Sequence, residues 1–161
     1  MKCKFCKNKL KPFMSFGKMP MANGFLKKKD FKKEFFYKLE VGFCKKDFLF
    51  QVNNHPRSPY IFNNQYPFYT EKSAYMVDHF KKYFKWIKKK FIKKNAKIIE
   101  IGSNDGTFLK FFKQSNINHL GVEPSANVAR YSRRKGLNVL NNFFCFNVVK
   151  KLKNYKNSTN V

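Results

Sequence analysis

Lys97-Ile98-Ile99-Glu100-Ile101-Gly102-Ser103-Asn104-Asp105-Gly106-Thr107 decides the fold of this chain. A short apolar run, the signature of a buried parallel strand, ends on a glycine. A polar loop then closes on a second glycine, and helix-type spacing resumes over 107–114. Such a strand-loop-helix turn aims backbone N–H groups at a ligand. Gly102 lets the chain turn at the strand's carboxyl end, and Gly106 lets the helix pack close to it. Beyond this lie a second apolar run, 118–122, and Pro124-Ser125, which start a helix that Gly136 ends, with Ser125 suited to cap it. A third run covers 137–140. Strand alternating with helix predicts an α/β fold with parallel strands and right-handed crossovers.

The loop is chemically selective. It is not the dinucleotide fingerprint, because Glu100 and Asp105 stand where a pyrophosphate would be repelled. S-adenosylmethionine has no phosphate and carries a sulfonium and an ammonium, so acidic residues suit it. About twenty residues after Gly102, the second strand ends in Gly121-Val122-Glu123-Pro124. A carboxylate at that place typically takes both ribose hydroxyls. The expectation is therefore a doubly wound, Rossmann-like domain that binds S-adenosylmethionine.

Upstream the texture changes twice. Residues 1–58 are short segments punctuated by Gly17, Pro20, Gly24, Gly42 and Pro56, with strand-like alternation on either side of Cys44. A segment this small lacks a self-sufficient core, so a metal staple is expected. Cys3-x-x-Cys6 is the first half of a zinc knuckle, and Cys44 can begin the second. The second half has Asp47 where a cysteine would stand; a carboxylate can ligate zinc, and His55 competes for the fourth place. Cys145 reads as a buried small residue. Residues 59–95 carry an aromatic motif and a linking helix over 71–94, with Tyr75, His79, Tyr83, Trp86, Ile87 and Phe91 on its packed stripe. The third region, 96–161, is the cofactor domain with its first three strands, ending in a polar, Lys/Asn-rich tail.

The chain carries 35 Lys+Arg against 9 Asp+Glu, a net charge of +26. That field suits a nucleic-acid binder, and a non-catalytic, zinc-containing basic module is the rival expectation. Nearly all the charge is lysine, however, and it travels with Asn and Phe, the residues that AT-rich codons supply. Arginine, the residue for bidentate phosphate or guanine contacts, occurs only at positions 57, 130, 133 and 134. No apolar run is long enough to span a membrane, and the charged N-terminus has no signal-peptide core. With a Cys-x-x-Cys pair, this points to a reducing, cytoplasmic compartment.

Together these segments resemble the sugar C-methyltransferases that act on keto-deoxysugar nucleotides. The resemblance runs through Cys3-x-x-Cys6, Met19-Pro20-Met21-Ala22-Asn23-Gly24-Phe25-Leu26, Gly42-Phe43-Cys44, Phe48-Leu49-Phe50-Gln51, Tyr66-Pro67-Phe68-Tyr69-Thr70 and His79. Its most specific parts are Glu100 to Gly106 and Gly121-Val122-Glu123-Pro124-Ser125-Ala126-Asn127-Val128-Ala129. It implies a small zinc-binding domain followed by a partial class I methyltransferase domain. Glu100, Gly102, Ser103, Asn104, Asp105 and Gly106 would line the methionine and ribose part of the cofactor, and Glu123 the ribose. Asn142 and Phe143 would flank the adenine, and Tyr66 and Tyr69 would face a nucleotide-linked sugar. Family members continue through further strands, a histidine-bearing motif that supplies the base, and a C-terminal domain. The chain is accordingly expected to be an N-terminal portion, truncated or completed by a separately encoded half.

Overall fold

The computed structural model describes residues 1–52, 55–152 and 155. They fall into two compact units, Met1–Ile61 and Phe62–Val161. Part of the polar tail, 153–154 and 156–161, lies outside the described residues.

The first unit is a three-stranded antiparallel sheet in the order β1-β2-β3: Lys11–Pro20 (β1), Phe36–Cys44 (β2) and Leu49–Val52 (β3). Val41, Gly42, Phe43 and Cys44 pair with Val52, Gln51, Phe50 and Leu49, so the β2-β3 hairpin returns directly over the Cys44 turn. Alternation around Cys44 predicts these two strands. It does not predict β1, whose ten residues are all exposed and which is broken by register shifts after Pro12 and Ser15. The buried centre of the unit is small: Cys3, Leu10 and Cys44, with Met1 and Cys6 against them. A four-residue helix, Ser58–Ile61 (α1), ends the unit.

In the second unit Ser73 caps a long helix, Ala74–Lys90 (α2), its hydroxyl accepting from the Met76 N–H at 3.3 Å. The alternating segment follows: Lys97–Ile101 (β4), Leu109–Gln114 (α3), Asn118–Val122 (β5), Ala126–Arg134 (α4), Val139–Leu140 (β6) and Phe146–Lys151 (α5). The strands are parallel in the order β4-β5-β6, with Glu100 opposite Gly121 and Val122 opposite Leu140. The doubly wound start is thus as expected. Gly106 is indispensable to it: at φ +75°, an added Cβ would lie 2.3 Å from Leu137 Cδ1.

Several local expectations are corrected. The packed face of α2 is Phe80, Phe84 and Ile87, against Phe108 and Phe112, whereas Tyr75 is 79% exposed and Tyr83, Trp86 and Phe91 are exposed as well. Aromatics occupy so many of the helix's non-lysine positions that two stripes of helical period overlap. Phe80, Phe84 and Ile87 go inward, while Tyr83, at the half-exposed rim of that face, stacks on Phe108 with centroids 5.4 Å apart, and Trp86 stacks on Tyr83. The first turn of the 107–114 helix is used up by the loop, so α3 starts at Leu109. The strand expected over 137–140 shortens to two residues. Ser125 occupies the N-cap of α4, but its side chain caps nothing. Cys145 is exposed, because it lies in the connection to α5 and outside the sheet.

Candidate functional site

In the second unit the site is built at the carboxyl ends of β4 and β5. The Gly102 N–H donates to Val122 O at 2.8 Å, drawing the loop across the end of β5. Asn104 follows in the left-handed region, φ 49°, which turns its N–H onto Glu123 Oε2 at 2.9 Å. Glu123 Oε1 accepts the Ser125 N–H at 2.8 Å. The carboxylate is 4% exposed and held at both oxygens, yet each oxygen retains a lone pair for a further donor. Asn141 Nδ2 donates to the carbonyls of Glu123 and Pro124 at 2.8 and 2.9 Å, pinning the segment after β6 beside it. Asn142, next in the chain, is exposed, and the Phe143 ring lies edge-on to Phe62 at 6.5 Å.

The loop's acids play different parts. Asp105 is wholly buried: its Oδ1 accepts from Thr107 N and Oγ1 at 3.1 and 2.6 Å, and its Oδ2 from the Glu71 N–H at 2.8 Å. It organises the turn. Glu100 has a buried oxygen, Oε2, with no hydrogen-bond partner. Burial, followed by the charges of Asp105 and Glu123, pushes its carboxyl up to about 8. Ser103 Oγ is likewise buried without a partner. Over Gly102, φ +71°, nothing lies within 4 Å of where a Cβ would be, so a ligand can approach the backbone there.

The aromatic motif is fastened to this loop by residues that sequence reasoning gave no such role. Asn104 Oδ1 accepts from Thr70 N and Oγ1 at 3.1 and 3.2 Å, and its Nδ2 donates to Phe68 O at 3.2 Å. From α4, Asn127 Nδ2 donates to Tyr66 O at 2.8 Å and to the Tyr69 hydroxyl at 3.2 Å. Asn127 belongs to the motif that follows Glu123; that position was the available signal. Glu71 accepts from the Tyr131 hydroxyl and the Lys135 ammonium, which hold its carboxyl below the usual range, Lys135 first. Tyr66 packs between Phe62 and Phe68, with centroids at 5.8 and 5.6 Å. Burial, and then the charge of Glu123, raise its hydroxyl above the ordinary tyrosine value.

The second candidate site lies in the first unit. Sγ of Cys3, Cys6 and Cys44 and a carboxylate oxygen of Asp47 all lie within 4.8 Å of one another. A tetrahedral zinc ion needs ligand atoms about 3.3–3.8 Å apart, so the four require little adjustment. Cys3 and Cys44 lie 3.1 and 3.2 Å from Asp47 Oδ2, and Cys6 lies 3.5 Å from Cys44. The two halves are built alike: the residue after each second ligand, Lys7 after Cys6 and Phe48 after Asp47, has positive φ, 63° and 55°. Asp47 therefore occupies the backbone position equivalent to Cys6. The hydrogen bond to Asp47, and then burial, push the Cys6 thiol up to about 12, and the thiols hold the Asp47 carboxyl low. His55 is not one of the four; its Nδ1 donates to Pro56 O at 3.0 Å.

Residues 3–62 match the family model described as "Putative zinc binding domain". The chain is 24% identical over 129 residues to C-methyltransferase NovU of Streptomyces niveus, covering 79% of this chain and 30% of that protein. It thus spans about a third of that relative's length. Among solved structures, a SAM dependent methyltransferase from Archaeoglobus fulgidus matches with 20% identity and a TM-score of 0.38, over 50% of this chain and 32% of that one. No helix among the described residues is long and apolar enough to cross a membrane.

Proposed function

We propose, from the similarity of this chain to a C-methyltransferase and of its residues 3–62 to a zinc-binding domain model, that it supplies the cofactor half-site of a C-methyltransferase acting on a keto-deoxysugar nucleotide in the cytoplasm. The observation that carries the reading is the Glu123 carboxylate, buried at the end of β5 and clamped by two backbone N–H groups next to an open glycine turn. The donor set fits S-adenosylmethionine: Glu123 for the ribose hydroxyls, the charges of Asp105 and Glu123 for its cationic part, with Glu100 a protonated group beside them at neutral pH, and Asn142-Phe143 beside the adenine. When bound, that cofactor supplies an electrophilic methyl group. Tyr66 and Tyr69 face the sugar, and their phenol groups can donate to an enolate oxygen as a proton leaves the carbon next to the keto group. The residues described here include no group placed as the base for that proton. We assign it to a further α/β segment, in this or another polypeptide, which also pairs with the edge of β4 that is unpaired among the described residues. The zinc domain, through Cys3, Cys6, Cys44 and Asp47, fixes a small sheet that has little core of its own. Nucleic acid is not the partner this reading requires.

Calorimetry tests the cofactor reading. S-adenosylmethionine or its demethylated product should bind saturably, and Glu123→Ala should weaken binding by about tenfold or more, the cost of losing hydrogen bonds to a charged group. Equal affinity in the variant would remove Glu123 from the site. Binding of single-stranded RNA that falls steeply with salt, without cofactor binding, would instead favour the basic-module reading.

A further inference from the structure

Gln51 lies in β3 opposite Gly42, four residues after Asp47. Its amide spans two groups of the first knuckle at once. Nε2 donates to Cys3 Sγ at 2.9 Å, and Oε1 accepts the Lys4 N–H at 2.8 Å. Cys3 itself is wholly buried. No water can therefore take over the bond to its sulfur, and the amide is held in one orientation by the Lys4 N–H on its other end.

The chemistry of the donor set gives this contact a purpose. Three thiolates and one carboxylate around a divalent zinc leave a net charge of −2 on a cluster that is partly out of water. N–H donors aimed at the sulfurs spread that charge and fix the direction of the sulfur lone pairs. The Asp47 N–H lies 3.4 Å from Cys44 Sγ, and Gln51 does the same for Cys3 at shorter range. The hairpin that presents Cys44 and Asp47 thereby reaches across to hold the opposite knuckle as well.

We infer that Gln51 is a positioning residue of the metal centre, whose amide N–H orients and partly neutralises the Cys3 thiolate while its carbonyl locks the Cys3–Cys6 turn. The inference rests on the zinc reading of the four-ligand cluster, and the experiment separates the two. Zinc affinity of the full chain is measured by competition with a chromophoric chelator, for the wild type, Gln51→Ala and Gln51→Glu. The Glu variant keeps an oxygen for the Lys4 N–H and loses the donor to sulfur. Both variants should bind zinc about 10–100-fold more weakly, as loss of an outer-sphere partner typically does. With cobalt(II) at saturation, both should also shift the sulfur-to-cobalt charge-transfer band, a readout that a loosened strand alone does not move. Wild-type affinity in Gln51→Glu, or an unshifted band in both variants, would overturn the role of the N–H. A wild-type chain that takes up no zinc would instead overturn the metal reading beneath it.

Discussion

Glu100→Gln tests the claim that the cofactor loop stores an electrostatic cost. In the folded chain burial and the neighbouring Asp105 and Glu123 push the Glu100 carboxyl from its ordinary 4.5 up to about 8. A raised folded-state value means that stability is fully present below pH 4.5 and is lost as pH rises towards 8. At 1.36 kcal/mol per pH unit the ceiling is on the order of 5 kcal/mol, most of it lost between pH 5 and 8. Glutamine has the same shape and no charge to desolvate, so the variant should lack that slope. Trp86, the sole tryptophan, lies in the second unit and reports its unfolding in urea. With a slope of about 1.5 kcal/mol per molar, the wild-type midpoint should fall by about 2 M relative to the variant across this window. Of the other displaced groups, Asp47, Glu71 and Asp78 are lowered and matter below about pH 4.5, while Cys6, Tyr66, Tyr131, Tyr155 and Lys135 are raised and matter above 8. Cys3 is lowered, but it lies in the first unit, whose unfolding Trp86 does not report. Parallel wild-type and variant profiles from pH 5 to 8 would refute the reasoning.

Asp47→Cys should complete a four-sulfur site and tighten zinc against a chelator, whereas His55→Ala should leave it unchanged; loss of metal in the histidine variant alone would reverse the ligand assignment. Among the described residues β4 pairs only with β5, and Ile101 at its end is 61% exposed. The chain should therefore self-associate, more strongly as salt screens its +26 charge, and light scattering should detect it. A salt-independent monomer would show that this edge is already satisfied.

What the sequence alone determined about this protein was whatever depends on neighbours in the chain. The strands Lys97–Ile101 and Asn118–Val122 are legible to the residue, because each is a short apolar run closed by a glycine loop or a turn. The loop's preference against pyrophosphate follows from the acids within it, and the half-knuckles follow from spacing. Tertiary structure decided the rest. β1 is invisible to a pattern rule because it buries no side chain, so nothing alternates. The inward face of α2 depends on Phe108 and Phe112 lying across from it, and its own crowded aromatics fit two stripes equally well. The same holds for chemistry. Asp105 and Glu100 look alike in the loop, yet one meets three donors and the other has an oxygen with none. The grip of Asn104 and Asn127 on the Tyr66 segment joins residues 34 to 61 positions apart, and Gln51 reaches Cys3 across 48. Contacts at such separations are set by how the elements pack, and no local pattern encodes them.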